Sequence, residues 1–266
     1  MPSDEKPCVK ARKIKLVIGY EGTNYRGWQR QDNAPTVQET IEQALASIIG
    51  RSVTVHGASR TDSGVHAEGQ VAHFLVDSPI PDASFAVILN DRLPADIAMA
   101  SSQEVTVGFD SSRDAIRKTY RYRIYTGWPK DVEHFRRRWR CEHRLDVLSM
   151  NRAAALLLGT HDFRAFASAK DTRHNFVRTV FAAHAYQAAG DELDFEITAD
   201  RFLYHMVRNI VGTIVEIGRG HWPVEKMAAT LASRDRTQAG PTAPGHGLCL
   251  LNIEYPDNCE NIASAT

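Results

Sequence analysis

One stretch constrains this chain more than any other: Gly57-Ala-Ser59-Arg60-Thr61-Asp62-Ser63-Gly64-Val-His66, followed by Ala-Glu-Gly-Gln-Val-Ala-His73-Phe74. A β-branched run, Val53-Thr54-Val55, precedes it, and Val71, His73 and Leu75 alternate with Ala72, Phe74 and Val76 after it. That period of two predicts two strands flanking a polar loop. Gly57 and Gly64 bracket the loop, and glycines so placed allow a tight turn or the close approach of another molecule. Inside stand one carboxylate, Asp62, one cation, Arg60, and several hydroxyls, with no second acid within five residues of Asp62. A lone carboxylate on a rigidly held loop suits nucleophilic or electrostatic work. The competing reading is a surface turn in which Asp62 bonds its own backbone and Arg60 is solvated.

The rest of the chain alternates strand and helix patterns. Ile14, Leu16, Ile18 and Tyr20 predict a first strand, which runs into Glu21-Gly22-Thr-Asn-Tyr25-Arg26-Gly27-Trp28. The two glycines lack the Lys-Ser/Thr of a nucleotide phosphate loop, and a turn with Trp28 over the core is the alternative. Thr36-Val-Gln-Glu39 is a capping box opening a helix that runs to Gly50. A helix from about 81 to 92 and a strand from 97 to 107 follow. The second part offers a strand at 119–125, helices near 131–140 and 149–158, a hairpin through Gly190-Asp191, helices at 203–217 and 224–233, and a strand at 248–255. This order predicts an α+β fold of two split β-α-β, ferredoxin-like halves, residues 1–110 and 111–266. They would share one continuous, mostly antiparallel sheet, with helices massed on one side and a central cleft.

Composition narrows the function. A 266-residue chain that is 43% apolar can bury one large core or two smaller ones, and no apolar run is long enough for a membrane span. The first residues lack a secretory signal, which points to the cytoplasm. Cys8, Cys141, Cys249 and Cys259 are scattered without Cys-x-x-Cys spacing, so reduced thiols and no metal are expected. Net charge is zero, yet residues 113–144 hold eleven Lys or Arg against four Asp or Glu. Such a local excess, including Arg136, Arg137 and Arg138, predicts a polyanion-binding patch. Around Tyr120, aromatics and cations interleave in Arg117-Lys118-Thr119-Tyr120-Arg121-Tyr122-Arg123, either a half-buried strand or a base-stacking platform beside phosphate contacts. Arg208 adjoins the apolar stripe of Leu203, Val207, Ile210, Val211 and Ile214, so it must either snorkel to water or meet a carboxylate.

Arg60-Thr-Asp62-Ser-Gly64-Val-His66-Ala-Glu-Gly69-Gln-Val resembles the signature of the tRNA pseudouridine synthase A family. Ser59 and Ser63 stand where the family more often has Gly and Ala, and Glu21 replaces its usual Asp. The likeness extends through Gly27-Trp28-Gln29, the Tyr120 strand, His161-Asp162-Phe163, Phe202 to Gly212, and Gly240-Pro-Thr-Ala-Pro244-Gly-His246-Gly. Gly245 and Cys249 depart from the commoner text of that last motif. The resemblance implies that Asp62 catalyses uridine isomerisation at positions 38, 39 and 40 of the tRNA anticodon stem-loop. It further implies that Arg208 pairs with Asp62, that Tyr120 stacks on the target base, and that a homodimer binds the tRNA across both subunits. Arg60, Arg136, Arg137, Arg138 and His205 are the expected substrate-binding residues, and neither cofactor nor metal is expected. Two rivals remain: a carboxylate-dependent RNA N-glycosylase, for which Glu68 is the nearest second acid, and a non-catalytic RNA-binding module of doubled ferredoxin-like halves.

Overall fold

Alternation along Arg12–Tyr20 produces the first strand, β1, with Ile14, Leu16 and Ile18 fully buried. The computed structural model describes residues 11–257. Helix α1 (Val37–Ile49) begins at the capping box, where the Thr36 hydroxyl accepts from the Glu39 amide, and stops at Gly50 in the left-handed conformation. Next come β2 (His56–Gly57), β3 (His66–Val76), α2 (Ser84–Asn90) and β4 (Ile97–Val105). Then follow β5 (Arg117–Tyr125), β6 (Trp139–Arg140), α3 (Val147–Ala155), β7 (Gly159–Asp162), β8 (Val177–Ala189) and β9 (Glu192–Ala199). Helices α4 (Met206–Gly218) and α5 (Lys226–Ser233) lead to β10 (Leu248–Glu254).

All ten strands join one sheet in the order β4-β1-β3-β10-β5-β9-β8-β7, with β2 on β3 and β6 on β5. Pairing is antiparallel except at β5–β6 and at the seam between β3 and β10, where His66 faces Cys249 and Ala67 faces Leu250. Strand β10 reaches the middle of the sheet and lies antiparallel to β5 on its other side. The core is continuous across this seam: Phe74, Phe85, Tyr122, Phe163, Phe166, Phe195 and Met206 are fully buried in one cluster. Trp28 belongs to it, at 1% exposure, and a side-chain carbon on Gly57 would lie 2.3 Å from its ring. The glycine turn therefore packs Trp28 on the core.

Three expected elements differ. Residues 53–55 are not a strand, because side chains of α1 take the Val55 main-chain groups: its amide donates to Glu42 and its carbonyl accepts from Gln38. Residues 131–140 form turns and the short β6 instead of a helix. There the Asp131 carboxylate caps the amides of Glu133 and His134, while Arg138 ties the segment to Asp131 and Glu192. Helix α4 starts three residues later than predicted, after His205 in the left-handed conformation. Phe163, directly after β7, packs into the core.

Candidate active site

The loop between β2 and β3 is fastened at several main-chain groups. Buried Gln70 on β3 clasps Ser59 from both sides, accepting from its amide at 3.1 Å and donating to its carbonyl at 2.7 Å. The Thr61 carbonyl accepts from the Trp28 amide, its hydroxyl bonds the Tyr20 hydroxyl at 2.8 Å, and the Asp62 carbonyl accepts from the Val65 amide. Two glycines let backbone press on this loop: a side-chain carbon on Gly27 would come within 2.5 Å of the Thr61 oxygen, and one on Gly245 within 2.6 Å of the Ser63 oxygen. A loop fastened this way holds its central side chain in one place.

That side chain is Asp62, and its partner comes from the other side of the seam. Arg208, on α4, donates from Nη1 to Asp62 Oδ2 at 2.9 Å and from Nε to the Ala243 carbonyl at 2.7 Å. The Ala243 amide returns a bond to the Arg208 carbonyl, so the segment before β10 and the first turns of α4 orient the guanidinium together. Both charged groups are about one-sixth exposed, enough shelter to strengthen the pair and enough opening for a substrate to reach it. Arg208 therefore meets a carboxylate rather than snorkelling. His205 Nε2 stands 3.4 Å from the same Oδ2, and burial holds this imidazole below its ordinary value, leaving Arg208 as the standing cation.

Tyr120, on β5, reaches the loop from below. Its hydroxyl bonds the Ser59 hydroxyl at 2.8 Å and its ring meets the edge of Phe202 at 5.1 Å. Burial raises the phenol well above its ordinary value, so it stays protonated near neutrality. Tyr120 is 6% exposed, so with Phe202 against it the ring presents little open surface to a base in this conformation.

The other expected site residues are dispersed. Arg60 is exposed and makes no hydrogen bond or ion pair with the described residues, so Arg208 and not Arg60 is the cation at Asp62. Arg136 and Arg137 are exposed, whereas Arg138 is committed to Asp131 at 2.7 Å and Glu192 at 2.8 Å. Glu68, the glycosylase's second acid, is paired with Arg123 at 2.9 Å and takes no part in the Asp62 cluster. His161 Nε2 donates to the Leu158 carbonyl, and Asp162 pairs with Arg164 and Arg234, so neither joins the Asp62 cluster.

His66 is a site residue that sequence reasoning passed over. Its Nδ1 accepts from the Gly22 amide at 3.0 Å, which puts the proton on Nε2, shared between the carbonyls of Arg136 at 2.9 Å and His246 at 3.0 Å. One buried imidazole thus joins the Gly22 turn, the Arg136 segment and the loop before β10 around Asp62. In the sequence it shows only as one member of the Arg60 to Val71 motif, with nothing to set it apart from its neighbours. Among the described residues no cluster of His, Cys, Asp or Glu could hold a metal ion, and no helix is long and apolar enough to cross a membrane.

The family model described as tRNA pseudouridine synthase matches residues 16–110 and 153–256, which include Asp62 and Arg208. The tRNA pseudouridine synthase A of Acetivibrio thermocellus is 46% identical over 92% of this chain and 100% of its own length. That of Moorella thermoacetica is 46% identical over 94% and 100%, and that of Myxococcus xanthus 42% identical over 92% of each. Solved structures resemble the chain more loosely: a Cbf5-Nop10-Gar1 complex aligns over 89% of this chain and 57% of that one at 10% identity, with a TM-score of 0.35, too low to speak to the fold. Matched by that family model over most of its length, and by such relatives over nearly the whole of theirs, the chain belongs to the tRNA pseudouridine synthase A family of isomerases.

Proposed function

We propose that Asp62 is the carboxylate through which this protein converts uridine to pseudouridine at positions 38, 39 and 40 of the tRNA anticodon stem-loop. In that reaction the N1–C1′ bond breaks, the base turns, and a C5–C1′ bond forms. C5 gives up its proton, N1 gains one, and neither electrons nor water are consumed. A single fixed carboxylate that adds to C1′, or takes a proton from the sugar or the base, meets this need. Arg208 aligns it, Tyr120 supports the base once Phe202 moves aside, and His205 borders the pocket. Arg60, Arg136 and Arg137 are free to meet phosphates. The observation that carries the reading is the 2.9 Å Arg208–Asp62 pair at the head of a fastened loop. Residues 1–110 and 111–266 act as two halves that supply one member each, and a cytoplasmic homodimer with the tRNA across both subunits completes the proposal.

Asp62→Asn keeps the shape of the side chain and removes its charge. The variant is expected to melt and to bind unmodified tRNA much as the wild type does, while forming no pseudouridine. Turnover above a few per cent of wild type would sink the assignment. The same assay separates the rivals, since a glycosylase releases free uracil and a binding module leaves the RNA unchanged. For Tyr120, Ala should damage turnover far more than Phe, because Phe keeps the surface and loses only the Ser59 bond. Equal losses would shift the role to the hydroxyl.

A further inference from the structure

The arginine-rich stretch expected to meet the polyanion is largely spent inside the protein. Arg121 pairs with Asp194 and Glu196, Arg123 with Glu68, Arg138 with Asp131 and Glu192, Arg117 with Glu254, and Arg140 with Glu142. Cations facing open space gather elsewhere. A cavity of about 660 Å³ is lined by Arg173, His174, Arg178, Asp200 and Arg201, three guanidiniums and an imidazole against one acid. That acid is already occupied, its Oδ1 accepting from the Thr179 and Arg201 amides.

Arg173 pairs with the buried carboxylate of Asp171 at 3.4 Å, while the other two arginines hold main-chain oxygens only. Arg201 donates to the Arg113 carbonyl, and Arg178 donates to the Asn175 and Val177 carbonyls while its Nε lies buried without a partner. Main-chain carbonyls fix the direction of a guanidinium without cancelling its charge. The field is felt nearby: burial, with Arg201 and Arg173 beside it, brings the Lys118 ammonium down to about 8. A relay of contacts links the cavity to the Asp62 loop: Arg173 donates to the Phe202 carbonyl, Phe202 packs against Tyr120, and the Tyr120 hydroxyl bonds Ser59. Its volume exceeds what a lone phosphate fills and admits a phosphodiester with its sugars.

We propose that this cavity seats a backbone phosphate of the substrate RNA close to the target uridine, anchoring the strand on the Phe202 side of Asp62. The proposal rests on the reading of Asp62 as the catalytic carboxylate, which supplies the direction from which the RNA arrives. Fixed guanidiniums there offset part of the cost of extruding a nucleotide from the stem, since phosphate contacts position the strand before any base is read.

The test uses the full-length protein and an anticodon stem-loop RNA, with Kd measured across a range of salt. Arg201→Gln and Arg178→Gln are each expected to weaken binding about tenfold and to lower the salt slope by about one, with single-turnover rate at saturating RNA within about twofold of wild type. Arg201 is exposed, so it carries the test if Arg178→Gln fails to fold. Neutral methylphosphonate linkages, placed one at a time around the target uridine, should reveal one position whose loss of affinity in the wild type disappears in Arg201→Gln. Wild-type affinity and slope in both variants, or linkage effects of equal size in wild type and Arg201→Gln, would overturn the proposal. It also fails if inorganic phosphate protects the wild type but not Arg201→Gln from unfolding while RNA affinity is unchanged, because the cavity then serves a free anion. Asp62→Asn should show the same linkage pattern as wild type; if that variant still made pseudouridine, the catalytic reading would fall and the linkage result would stand.

Discussion

Arg208 serves two acceptors at once, Ala243 through Nε and Asp62 through Nη1, and a planar fork is what allows both. Lysine keeps the charge and loses the fork. Arg208→Lys is therefore expected to fold and bind RNA while losing about tenfold or more in single-turnover rate; wild-type turnover in the folded variant would show that orientation of Asp62 does not matter. Lys118 makes a second prediction. Its Nζ donates to the Ala58 carbonyl at the base of the Asp62 loop, and its folded value of about 8 lies below the ordinary 10.5. Between those limits the unfolded chain binds more protons than the folded one, so this residue's contribution to stability rises as pH goes up through the window. Urea unfolding from pH 7 to 10 should show the wild type gaining on Lys118→Met by up to about 1.4 kcal/mol per pH unit, and parallel curves would contradict the assignment. Asp62 and Arg208 were legible because a lone acid in a glycine loop and an arginine beside an apolar stripe both demand explanation. Gln70 and His66 were not, since their partners are main-chain groups that only the folded chain brings to them.

At the scale of elements, local rules sufficed wherever the chain satisfies itself. Helix α1 begins at Thr36 and ends at Gly50 as its capping residues dictate, and the hairpin of β8 and β9 turns at Gly190. They failed at 53–55 and 131–140, where side chains distant in sequence take over the backbone or the charges. The same distinction separates two glycines. Gly50 has positive φ and open space around it, so Gly50→Ala should cost only about 1–2 kcal/mol for the left-handed backbone and leave activity intact. Gly27 has positive φ and Thr61 in the way, so Gly27→Ala should cost more than Gly50→Ala and also slow single turnover by displacing the Asp62 loop. Thermal melts and rates on the two variants decide it; equal rates would mean the loop tolerates the shift.

Over the whole molecule, charge reads differently in space than along the chain. The excess at 113–144 was visible as a count, but the count could not show which arginines find acids, because Glu68, Asp194 and Glu196 lie far away in sequence. A double substitution, Arg136→Gln with Arg137→Gln, should lower the salt slope of RNA binding by about one to two and leave the melting temperature alone. Arg138→Gln should do the reverse, since Asp131 and Glu192 lose their shared cation. A lowered melting temperature in the first variant, or a flattened slope in the second, would reverse these roles. The sheet itself carries one more consequence. Strand β10, last in the chain among the described strands, lies at the centre, so β3 and β5 keep edges covered only by the two-residue β2 and β6 until residues 248–254 arrive. A chain emerging from the ribosome displays Asp62 early, gains Arg208 late, and can fasten that arginine to Ala243 later still. The growing polypeptide thus carries two adhesive borders, vulnerable to aggregation during synthesis until residues 248–254 fill its middle.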